Sequence, residues 1–77
     1  MLTLYQFNLL NDHLKAEAVW QGTFLDNRRE GEYMVQLYSV GNFYVEVFYD
    51  QQINRIVHFR SFRTIRLLAP YLKKIKI

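Results

Sequence analysis

Four stretches rich in aromatic and β-branched residues follow one another through the middle of this chain, and the turns between them are very short. They read TFLDNRR (23–29), EYMVQLYSV (32–40), NFYVEVFY (42–49) and INRIVHFRSF (53–62). The turn signals separating them are Glu30-Gly31, Gly41-Asn42 and Asp50-Gln51-Gln52. Parallel strands need a crossover of about a dozen residues or more, so connections this short admit only antiparallel hairpins. The sequence therefore predicts a four-stranded antiparallel meander.

Helical patterns flank it. Leu4, Phe7, Leu10, Leu14 and Ala18 recur at the three-to-four spacing that lines one face of a helix. Asn11 and Asp12 interrupt the run and suit the N-cap of a second helix ending near Trp20–Gln21, with Gly22 as the left-handed residue that terminates it. The N-terminal region is thus one bent helix or two short ones. Beyond the strands, Ser61 or Thr64 can cap a short helix carrying Ile65, Leu67 and Leu68, which Pro70 is expected to stop. The ending LKKIKI alternates as a strand does, so a terminal fifth strand is possible. The fold class that follows is α+β.

Seventy-seven residues suit one domain spanning 1–77. A chain of this size buries only roughly 60–65% of its unfolded surface, so its core is marginal without help. With no cysteine and only His13 and His58, neither a disulfide framework nor a structural metal is expected, and no cofactor is implied. Self-association remains as a source of further burial. The start MLTLYQFNLLNDHLK lacks a basic leader followed by an apolar run, and no apolar segment reaches the ~20 residues of a bilayer span. A soluble, cytoplasmic protein is expected.

If Gly41-Asn42 forms a two-residue turn, Val40 faces Phe43, Tyr38 faces Val45, Gln36 faces Val47 and Met34 faces Tyr49. Directly opposed residues share a face, so these eight make one nearly continuous apolar surface. The other face carries Tyr33, Val35, Leu37, Tyr44 and Phe48 beside Ser39, Glu46 and Asp50. Neither face is plainly solvated, although a sheet packed on one side alternates cleanly. Either the N-terminal helices cover one face and the C-terminal helix the other, or a partner subunit covers the second. Tyrosine and tryptophan are enriched at interfaces. Tyr33, Leu37, Tyr44 and Phe48 are therefore candidates for contact with a second copy or another protein.

The combination GNFYVEVFY, FRSF and LLAPYL is similar to short bacterial proteins of uncharacterised function, over most of the chain. The resemblance brings no activity, ligand or catalytic residue with it.

Charge is divided unevenly. The net of +3 combines −4 over residues 1–50 with +7 over residues 51–77, where no acid occurs. Arg60, Arg63, Arg66, Lys73, Lys74 and Lys76 are the candidate contacts for an anion or nucleic acid. Solvation, or pairing with Asp26, Glu30 and Glu32, is the plainer account of them. VGNFYVEV matches the aromatic strand motif of RNA-recognition folds only at Gly41, Tyr44 and Val45.

Catalytic signals are sparse. His13 and Glu17 are four apart, which makes a surface pair rather than a metal site. His58 and Ser61 face opposite sides of a strand, and no glycine loop cradles phosphate. The sequence reads as a non-enzyme: a protein-interaction module, expected to be homodimeric. The alternatives are a small nucleic-acid-binding protein and a small regulator or inhibitor of a larger enzyme.

Overall fold

The structure, a computed structural model, describes residues 2–72. It is α+β. Two short helices, α1 (Leu4–Asn8) and α2 (Asp12–Trp20), precede strands β1 (Thr23–Glu30), β2 (Tyr33–Val40), β3 (Phe43–Asp50) and β4 (Arg55–Phe62). A 3₁₀ turn (Ile65–Leu68) and α3 (Ala69–Leu72) follow. The strands form one antiparallel sheet in the order β1-β2-β3-β4.

The central hairpin has the expected register, with Val40 opposite Phe43 and Met34 opposite Tyr49. Gly41 takes a positive φ of 57°, which a two-residue hairpin turn of the primed type needs at its first position. The β3–β4 connection is longer than the sequence suggests. Residues 51–54 turn before β4 begins at Arg55, with the Asp50 carboxylate accepting from the Gln52 N–H at 2.9 Å and Asn54 at a positive φ of 57°.

Each edge strand contains one bulge. β1 shifts register between Phe24 and Asp26, leaving Leu25 unpaired, and β4 shifts at Val57, between Ile56 and His58. A bulge puts two residues opposite one and so reverses which face the later side chains occupy. Counted from the β1–β2 turn, Arg28 lies opposite Val35, and the β1 bulge shifts only Thr23 and Phe24 beyond it. Counted from the β3–β4 turn without its bulge, Arg60 would lie opposite Val45, on the helix-covered face; with it, Arg60 lies opposite Glu46, on the same face as Arg28.

The N-terminal region is two helices. Thr3 and Gln6 cap α1 reciprocally, and the Asn11 side chain caps α2 by accepting from the Leu14 N–H at 2.9 Å. The apolar stripe restarts after this break, so Phe7 and Val19 are fully buried while Leu14 is exposed. Phe7 packs against Phe43 and Phe59, with ring centroids 5.6 and 6.4 Å away. Burying a side chain of this size contributes about 1.5–3 kcal/mol. This first cluster occupies the end of the sheet near the β2–β3 turn.

Gly22 is not in the left-handed region; only Gly31, Gly41 and Asn54 have positive φ among the described residues. Its role is close approach. A Cβ there would sit 2.4 Å from the Ser39 carbonyl oxygen and 3.1 Å from Val40 Cγ2.

The opposite face is covered by the C-terminal segment. Tyr71, Leu67 and Leu68 pack on Leu37, Phe62 and Tyr44. Pro70 does not stop a helix: it lies in the first turn of α3, where a missing N–H breaks no helical bond. Thr64 is the capping position of the 3₁₀ turn, without a side-chain bond. Leu72 closes α3, and the rest of the proposed terminal strand lies outside the described residues.

Candidate functional site

Two features on opposite faces of the sheet stand out. The first is a buried ionic cluster. Glu46, near the middle of β3, has no solvent exposure. Its Oε2 accepts from Arg28 Nε at 3.2 Å, Arg28 Nη2 at 3.0 Å and the Tyr71 hydroxyl at 2.6 Å. Its Oε1 accepts from Arg60 Nε at 2.8 Å and from Arg60 Nη2. Arg28 reaches across β2 to do this, and its remaining Nη1 donates to Glu30 at 2.8 Å. Both edge strands, the central strand and α3 thus meet at one carboxylate.

Burial acts to raise the Glu46 carboxyl, but the hydrogen bonds from Tyr71, Arg60 and Arg28 outweigh it and hold the group below its ordinary range. Burial and the adjoining carboxylate push the Tyr71 hydroxyl above its ordinary value. Burial works to lower the Arg28 guanidinium, yet its bonds to Glu30 and Glu46 leave it more firmly protonated than usual. A carboxylate offers about four lone-pair sites, and five donors already converge on this one. Its lone pairs are taken up by donors of the chain itself. The cluster holds elements together.

The second feature is an open groove on the helix-covered face. Helices α1 and α2 occupy one end of that face and leave the other uncovered. A groove of about 270 Å³ there is lined by Trp20, Gln36, Val47, Tyr49 and Ile56. Trp20, at the end of α2, forms one wall and is 63% exposed. Gln36 and Val47 are directly opposed across β2 and β3 and form the floor, and Ile56 comes from β4 beside Tyr49. None of the five is charged.

The sequence-derived candidates fall in other places. Leu37 and Phe48 are 3% and 7% exposed, covered within the chain itself. Phe48 packs against the rings of Tyr33 and His58, and Tyr44 is half-buried and stacked on Phe62. Tyr33 keeps the most surface of the four. The open face of the sheet is therefore the one opposite to them, because the C-terminal segment and the ionic cluster occupy theirs. Arg60 is engaged with Glu46, whereas the exposed Arg63 and Arg66 make no ion pair among the described residues. Lys73, Lys74 and Lys76 lie outside those residues.

His13 and Glu17 form the exposed i, i+4 pair, with Nε2 3.3 Å from Oε1. His58 and Ser61 face opposite sides, and the Ser61 hydroxyl donates to Asn8 Oδ1 at 2.6 Å, which ties β4 to α1. Among the described residues no three His, Asp or Glu side chains gather as a metal site would require. No described helix is long and apolar enough to cross a membrane.

The ionic cluster escaped sequence reasoning, although a lone glutamate inside NFYVEVFY was its visible trace. Trp20 escaped as well, because the helical pattern alone does not say where α2 stops covering the sheet. Fold and site together define a small α+β domain with an antiparallel meander, which the described residues close on one face and leave half-open on the other. No protein-family model matches the chain, and no curated protein or solved structure matches it. The resemblance to short bacterial proteins gains no support there, and the functional reading rests on the chain's own geometry.

Proposed function

We propose that this chain is a non-catalytic protein-interaction module that docks partners on the uncovered part of its helix-side sheet face. The observation that carries this reading is Trp20, 63% exposed on the wall of an uncharged groove. Interface centres are depleted in charge and enriched in tryptophan and tyrosine, and this groove has that composition. Its ~270 Å³ lies just under the range of about 300–1,000 Å³ usual for small-molecule pockets. A side chain presented by another protein suits it better than a free metabolite does.

The test is site-specific crosslinking in cells. A photoreactive residue in place of Ile56 should yield discrete protein adducts, and the same residue in place of Ile65, on the opposite face, should not. Equal or absent crosslinking at the two positions would refute the reading.

A further inference from the structure

We infer that the occupant of this groove is a second copy of the chain, docked face to face about a two-fold axis, and this inference rests on the interaction reading above. An isologous interface needs one patch to hold both a projection and the recess that receives it. Here the two lie side by side: the exposed Trp20 and the groove it borders. Under a two-fold, the indole of each copy enters the groove of the other and packs between Tyr49 and its own counterpart.

The chemistry is self-complementary too. Gln36, half-buried in the floor, makes no side-chain hydrogen bond to another described residue. A primary amide both donates and accepts, so two copies of Gln36 can satisfy each other across the axis. The uncharged lining means that bringing two identical surfaces together opposes no like charges at the centre.

Area sets the strength. Phe24 and Ile56, 48% and 37% exposed, add to Trp20 on this face. At about 150–250 Å² per large aromatic side chain, the patch comes to roughly 300 Å² per copy. Stable interfaces bury about 1,200–2,000 Å² in total, so this core needs a contributing rim. The hydrogen-bonded Arg29 and Gln51 flank the same end of the sheet and can supply part of it. The dimer is accordingly a weak one.

Sedimentation equilibrium on the purified chain, from low micromolar to near millimolar concentration, tests this. The wild type should pass from monomer to dimer, with Trp20 fluorescence shifting to the blue over the same range. Ile56→Glu and Trp20→Ala should each weaken association by about tenfold or more, since a carboxylate buried there is unpaired and the alanine removes the projection. Ile65→Glu, on the other face, should associate as the wild type does, and far-ultraviolet circular dichroism should show all three folded. A chain monomeric throughout, or a dimer indifferent to both groove variants, would overturn the second-copy inference. If crosslinks at position 56 reach only a different protein, the interaction reading stands and this inference falls. If they reach no protein, both fall.

Discussion

Glu46 has no exposed surface and lies between two guanidinium groups, so removing its charge leaves both facing a neutral side chain. Breaking a buried pair by losing one partner costs about 3–5 kcal/mol, because the surviving charge stays desolvated. Arg28 keeps Glu30 and Arg60 is 39% exposed, which places Glu46→Gln near the lower end of that range. We expect chemical denaturation at neutral pH to show a loss of about 3 kcal/mol. The pH dependence has a definite sign. A carboxyl held below its ordinary value of about 4.5 contributes stability that is present above that pH and lost as pH falls through the folded-state value. Stability should therefore decline below about pH 4.5, and Glu46→Gln should flatten that decline. Tyr71→Phe removes one donor from Oε2, so the Glu46 carboxyl should rise and acid unfolding should begin at a higher pH. An acid midpoint unmoved by either substitution would contradict this account.

At the level of elements, the junction between α2 and β1 is the tightest point. The Gly22 N–H donates to the Val19 carbonyl at 2.9 Å while its Cα passes against the end of β2. Gly22→Ala would place a methyl group against the Ser39 backbone, which cannot swing aside as a side chain would. Overpacking of this kind costs about 1–3 kcal/mol, more than the 0.4–1 kcal/mol or so gained by stiffening the unfolded chain. The thermal midpoint of Gly22→Ala should fall; an unchanged or higher midpoint would show that the junction relaxes. The same elements show what the sequence disclosed. Strand order and the central register were legible because hairpin length and the turn glycine dictate them. Patterning showed that neither face was plainly solvated but left open whether a partner or the C-terminal segment covers the Leu37 face, which the C-terminal segment does. The ionic cluster was not legible, because it depends on the bulge at Val57. That bulge reverses the face of Arg60, and Val57 carries no turn signal. Leu25 and Val57, 46% and 45% exposed, are apolar side chains left outside by the two edge-strand bulges.

For the whole molecule, charge decides between the main reading and nucleic-acid binding. Arg60 is neutralised internally, and Arg63 and Arg66 remain exposed among the described residues of the basic ending. We expect labelled DNA and RNA to bind weakly, with log affinity falling by about 0.9 per duplex contact or 0.7 per single-strand contact for each log unit of salt. Sub-micromolar binding at physiological salt, abolished by Arg63→Glu with Arg66→Glu while the fold is kept, would favour the nucleic-acid alternative. Sub-micromolar binding untouched by that pair would place the contacts elsewhere on the chain. The carboxylate at the centre of the sheet also bears on how the chain is made. Its ligands come from positions 28, 60 and 71, so a growing polypeptide that has just displayed residue 46 holds only one of the three. At about 5–20 residues per second, roughly one to five seconds of translation separate Glu46 from Tyr71. Until residues 60 and 71 have been made as well, the cluster lacks two of its three ligands. The sheet's four strands are thus all made before the cluster can be complete, since the Tyr71 hydroxyl is the last of its ligands in chain order.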